Sequence, residues 1–156
     1  MLMTIEEASK KIAQGKILSI AGDESLLSRL PKGNWIAGTI PYFIAEEGGI
    51  QTAERVFVTE LPAEFSAPRV VQYDETTIRS IARDAPENGL TLVILPATSK
   101  VHLEYAQNAP DYPEMFMKPI AGWISGVALQ DLGKVSPKVM DGKTGELLEG
   151  KAIALH

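Results

Sequence analysis

The run LTLVIL at residues 90–95, held between Gly89 and Pro96, restricts the fold more than any other stretch of this chain. A strand with one face in water alternates apolar and polar residues, whereas a nearly continuous apolar run suits a strand buried on both faces. The segments around it supply the covering layers. Thr4 and Glu7 form a capping-box pattern, with Ile5, Ala8 and Ile12 on one helical face before Gly15. Residues 16–20 read as a strand stopped by Gly22. Asp23 then caps a short helix carrying Leu26, Leu27 and Leu30, which Pro31 closes. Strands follow at about 34–40, 55–59 and 70–73, and Asp74 caps a helix predicted to run to about Asp84. Ser99 caps another, to about Gln107. After the proline-rich loop 109–119 comes a strand. A closing hairpin is predicted from residues 138–140, a turn at 141–145 and a final strand at 151–155. The expected fold is α/β: a mixed, largely buried β-sheet flanked by helices, ending in a C-terminal β-hairpin.

At 156 residues the chain reads as one domain, residues 1–156. It is either complete with a strand at its terminus or the N-terminal portion of a longer protein. The net charge is −5, and basic residues stand singly apart from Lys10-Lys11, so no basic stripe offers itself to nucleic acid. There are no cysteines, which removes disulfides, thiolate metal sites and cysteine nucleophiles. Glutamates occupy the place where a signal peptide needs a cationic flank, and the apolar stretch at 90–97 is too short to span a bilayer. A cytoplasmic protein without membrane association is expected.

Signatures of known chemistry fail in turn. There is no phosphate-binding loop and no dinucleotide fingerprint, so no cofactor is expected. The stretch GWISG at 122–126 puts Ser125 one residue too late for a nucleophile elbow. Two histidines and no cysteine make a poor ligand set, and no metal is expected. An enzyme would need Glu46, His102 or Asp141 to converge on one cleft; the pair Glu46-Glu47 otherwise reads as a solvated turn. Thr98-Ser99-Lys100 is better placed, because it follows the buried strand and opens a helix. Free N–H groups and two hydroxyls there suit a small anion, with Lys100 as counter-charge, although the capping preference favours a plain N-cap over that reading.

Both tryptophans fall in nearly the same phrase, Trp35-Ile36-Ala37-Gly38 and Trp123-Ile124-Ser125-Gly126. Each combines an amphipathic ring, a small residue and a glycine that permits close approach. Two readings stand. The phrases are core strands of a pseudo-repeat, or they line an apolar pocket with a few polar handles. The ligand reading selects Trp35, Thr39, Tyr42, Thr98, Ser99, Trp123 and Ser125, for an anionic or zwitterionic small molecule. A different class of function, an interaction or assembly module forming a homo-oligomer or meeting a signalling partner, points to the loop carrying Tyr112, Met115, Phe116 and Met117, since aromatic and methionine side chains adapt well to contact surfaces.

Several of these stretches together resemble the FIST family. They are LPKGNWIAGTIPYFIAEEGG followed by RVFVTEL, then LTLVILPATS, PIAGWISGVAL and the closing GELLEGKAIALH. The resemblance implies a sensory domain that binds small metabolites such as amino acids and works with signalling partners. This chain departs from the family in the tryptophan-bearing versions of the turns and in having no recognisable signalling module.

Overall fold

The computed structural model describes residues 1–46 and 48–156. Local signals form as expected at several points. Helix α1 (Ile5–Ala13) starts in a closed capping box: Thr4 Oγ1 accepts from the Glu7 N–H at 3.3 Å, and the Glu7 carboxylate accepts from the Thr4 N–H at 2.8 Å. Ile5, Ala8 and Ile12 are its buried face. Asp74 does not open a long helix. Its carboxylate accepts from the N–H groups and hydroxyls of Thr76 and Thr77, and this local turn is followed only by a 3₁₀ turn at Ile78–Ser80 and the single-turn α3 (Ile81–Asp84).

The architecture is α/β, with mixed sheets flanked by helices, and it is built from one topology used twice. The first unit comprises β1 (Leu2–Met3), α1, β2 (Leu18–Gly22), α2 (Glu24–Leu27), β3 (Trp35–Thr39), the hairpin β4 (Tyr42–Ala45)–β5 (Gly48–Gln51), and β6 (Val56–Glu60). Its strands lie in the order β1-β6-β2-β3. The second comprises β7 (Val70–Tyr73), α3, β8 (Thr91–Pro96), α4 (Lys100–Asn108), β9 (Ile120–Ser125), the hairpin β10 (Lys138–Asp141)–β11 (Glu146–Glu149), and β12 (Ala152–Leu155). Its order is β7-β12-β8-β9. Pairing senses also agree: β2‖β3 matches β8‖β9, and β6 and β12 each run antiparallel to both neighbours.

The C-terminal hairpin is therefore made differently from the sequence expectation. Residues 138–141 pair with β11, and the final strand crosses to the second sheet to lie between β7 and β8. Meanwhile β10 adds to the free edge of β3, so the first sheet has six strands.

Three apolar layers hold this together. Leu18, Ile20, Trp35 and Val56 pack under α1 and α2. Val93, Leu95, Ala152 and Ala154 pack under α3 and α4. Ile36, Ile94, Val139, Ile153 and Leu155 fill the space between the two sheets. Strand β8 is thus covered on both faces, as its unbroken apolar run requires. Among the described residues no helix is long and apolar enough to cross a membrane.

The two tryptophan phrases do not superpose in this repeat. Leu18 and Ile20 face their helices as Thr91 and Val93 do, so the register places Trp35 where Ile120 stands and Gly38 where Trp123 stands. That three-residue offset is odd, and side chains alternate along a strand, so the indoles face opposite sides of their sheets. Trp35 enters the helix-covered core, while Trp123 enters the layer between sheets and lies over Gly38. A Cβ on Gly38 would fall 2.8 Å from Trp123 Cη2 and 2.8 Å from Ile94 Cγ2. The phrases are partners in packing: the glycine of one leaves room for the ring of the other.

Candidate functional site

The most polar buried constellation lies where the same ends of both repeats meet. Ile17 precedes β2, Leu61 follows β6, Leu90 precedes β8 and His156 follows β12, and all four line one recess of about 500 Å³. The segment joining the repeats, residues 61–69, forms its outer wall with Phe65 and Arg69, and Asp84 stands opposite. Interfaces between structural units are common places for small-ligand sites.

His156 is drawn in by the ladder itself. Its N–H and C=O exchange hydrogen bonds with Arg69 at 2.9 Å each, extending the β7–β12 pairing by one step. The imidazole is thereby buried between Tyr73 and Thr91: Nε2 is 2.8 Å from Tyr73 Oη, and Nδ1 is 2.8 Å from Thr91 Oγ1. Tyr73 Oη donates to Asp84 Oδ2 at 3.0 Å. That last bond decides the tautomer. Because the tyrosine proton points to a carboxylate, Tyr73 Oη must accept from Nε2–H, which leaves Nδ1 to accept from the Thr91 hydroxyl. The result is a single-direction chain, Thr91 to His156 to Tyr73 to Asp84.

Burial keeps the chain neutral at its centre. Desolvation, and then the charge of Arg69, bring the His156 imidazolium pKa down to about 4, with Asp84 opposing. Desolvation first, then the hydrogen bond to Asp84, raise the Tyr73 phenol well above its ordinary value. Arg69 donates from one guanidinium nitrogen to the Asp84 carbonyl and is otherwise exposed, so most of its five N–H donors face the recess mouth or water. The matching place in the first repeat is held by Glu60, opposite Leu18. Lys11 at 2.7 Å and Lys16 at 2.8 Å hold its carboxyl down to about 2. One repeat closes this end with two ion pairs on one exposed carboxylate, the other with a buried neutral chain.

The residues singled out from the sequence are dispersed. Trp35 is a core residue, not a pocket lining: its Nε1 donates to the Pro31 carbonyl at 2.9 Å, and a Cβ on Gly142 would lie 2.3 Å from its ring. Ser125 is also buried, between the sheets, with no hydrogen-bond partner for its hydroxyl among the described residues. Thr39 accepts from the Lys138 N–H at 3.0 Å, pinning the start of β10, and borders a small cavity of about 130 Å³.

Tyr42 and Trp123 do share a cleft, of about 370 Å³, with Phe43 and Phe57; Trp123 Nε1 donates to Ser19 Oγ at 3.3 Å and Tyr42 Oη accepts from the Leu129 N–H at 3.0 Å. Thr98, Ser99 and Lys100 border a separate recess with Glu75 and Glu149. Ser99 acts there as the N-cap of α4, accepting from the His102 N–H at 3.1 Å. Thr98 takes a positive φ of 62°, and its N–H donates to His102 Nδ1 at 3.3 Å.

The contact loop divides in two. Tyr112 is buried edge-on to Tyr105 and Met115 packs on the same core, whereas Phe116 and Met117 are 81% and 79% exposed. Asp141 holds a turn by accepting from the N–H groups of Lys143 and Thr144. Glu46 is exposed in the β4–β5 turn, and Glu47 lies outside the described residues. The proposed acids and His102 thus stand on three separate elements. Among the described residues no cluster of three or more His, Asp or Glu side chains could hold a metal.

The recess residues were not visible as a group in the sequence. His156 bonds partners 83 and 65 positions away, and its place at the end of the chain sets it aside on any local reading. A family model for a family of unknown function, DUF6976, matches residues 3–156. The chain belongs to that family. No curated protein and no solved structure matches it.

Proposed function

We propose that the chain is a non-catalytic, sensory-type domain that binds a small anionic or zwitterionic molecule in the recess between the repeats. One observation carries this: Arg69 and Asp84 offer opposite charges at the mouth of a cavity whose apolar lining is Ile17, Leu61, Phe65 and Leu155. A carboxylate meets the free guanidinium donors, a cationic group meets the Asp84 carboxylate, and an apolar body contacts the wall. The chain from Thr91 to Tyr73 orients Asp84 from behind. The resemblance to FIST domains favours the same class of ligand, and the cysteine-free composition favours a cytoplasmic setting. The test is thermal shift and calorimetry of the chain and of Arg69→Met against amino acids and small mono- and dicarboxylates. Binding is expected in the parent and lost in the variant. If nothing in that panel binds, or if Arg69→Met binds equally well, the recess is not the site.

A second reading, contact with another protein through the loop at 111–117, is favoured by the exposure of adjacent Phe116 and Met117. Phe116→Asp should then weaken association without lowering stability.

A further inference from the structure

Strand β9 is one of the two edges of the second sheet, the other being the four-residue β7, and it lacks the usual protection. Natural edges are kept short, charged or interrupted. Strand β1 has two residues and β11 begins and ends in glutamate, but β9 is six residues, IAGWIS, with no charge and no proline. The ladder to β8, with the Thr91 N–H bonded to the Pro119 carbonyl and the Ala97 N–H to that of Ser125, turns the N–H and C=O groups of Ile120, Gly122 and Ile124 outward.

The internal repeat shows what such an edge takes. The counterpart strand β3 is covered by an antiparallel strand, β10, pairing Val139 with Gly38 and Asp141 with Ile36. The matching hairpin of the first repeat, β4–β5, does not cover β9. It turns onto β6 instead, with Phe43 stacked on Phe57 at 6.0 Å and 7°, and remains a separate two-stranded sheet. Exposed apolar side chains lie on the strand and nearby: Ile124 is 48% exposed, Leu129, four residues beyond the strand, 69%, and Ile44, which shares a cleft with Trp123, 86%.

We propose that β9 pairs antiparallel with β9 of a second copy, about a two-fold axis at Gly122, joining the two four-stranded sheets into one. The strand is suited to itself. Ile120 and Ile124 are equally spaced about Gly122, so each isoleucine faces the other's counterpart and no side chain stands at the axis. Antiparallel pairing also brings Phe116 and Met117, which precede β9 in one copy, toward Leu129, which follows it in the other. Three outward residues on each copy supply roughly six ladder hydrogen bonds. This rests on strand geometry and is independent of the ligand reading.

The test is analytical ultracentrifugation of the full chain across the micromolar range, with Ile124→Pro and Ile124→Val. Proline at 124 removes an outward N–H and leaves the β8–β9 ladder whole. A dimer is expected for the parent and for Ile124→Val, and a monomer with unchanged circular dichroism for Ile124→Pro. Should that variant fail to fold, amide exchange of the parent decides, because Gly122 and Ile124 must become more protected as concentration rises. A parent that stays monomeric, a dimer that Ile124→Pro leaves intact, or exchange independent of concentration each overturns the proposal.

Discussion

Acidification should weaken this fold in a window that belongs to His156. In the unfolded chain the imidazole titrates near its ordinary 6.5; in the folded protein, buried between Tyr73 and Thr91, it titrates at about 4. The folded pKa is the lower one, so the unfolded state binds the extra proton first. The stabilisation is complete above 6.5 and is lost as pH falls through 6.5 toward 4. The fall from 6.5 to about 4 corresponds to roughly 3 kcal/mol as a ceiling, and screening by water in the adjoining recess brings it nearer to about 2 kcal/mol. For a chain of this size about 2 kcal/mol is a melting shift of roughly 4–8 °C. Glu60, held down to about 2, loses its contribution only as pH falls from its ordinary 4.5 toward 2, largely below this window. The assay is urea denaturation at intervals across the window, for the parent and for His156→Phe. The parent should lose stability with decreasing pH and the variant should show a nearly flat profile there. Equal slopes, or an NMR titration of the His156 ring near its ordinary value, would refute the buried neutral chain.

Three further outcomes follow from contacts at single residues. Tyr73→Phe leaves the His156 Nε2–H and Asp84 without their shared partner and should cost roughly 2–3 kcal/mol in denaturant unfolding; a loss within experimental error would mean that the chain of hydrogen bonds is not formed. Gly38→Ala places a methyl 2.8 Å from both Trp123 and Ile94 and should cost about 1–3 kcal/mol, with a change in tryptophan emission as the Trp123 ring is displaced. Unchanged emission and stability would contradict the packing of ring on glycine. Ser99→Ala removes the α4 cap and should lower stability by about 1 kcal/mol. It should leave binding of any ligand found in the recess unaltered, and a specific loss of affinity would return Ser99 to the binding site.

What could be read in the residues was whatever depends on near neighbours. The capping box at Thr4 and Glu7, the caps at Asp23 and Ser99, and strand β7 at residues 70–73 stand where the pattern put them, because these signals act within one turn or one strand. The apolar run that became β8 announced its burial on both faces for the same reason. The α/β class followed from these elements.

Only the tertiary structure decided which element meets which. The segment at 152–155 has the same strand character whether it closes a hairpin or crosses to another sheet; its pairing with β7 and β8 is a long-range choice. The two Trp-Ile-small-Gly phrases look equivalent in sequence, yet a register shift of three residues sends Trp35 into one core and Trp123 across to Gly38. A strand's side chains alternate, so facing depends on pairing register, and no local pattern carries that. The recess is the extreme case. Arg69, Tyr73, Thr91 and His156 come together because β7, β8 and β12 are neighbours, Tyr73 reaches Asp84 at the end of α3, and the chemistry of His156, neutral and fully hydrogen-bonded, exists only inside that arrangement.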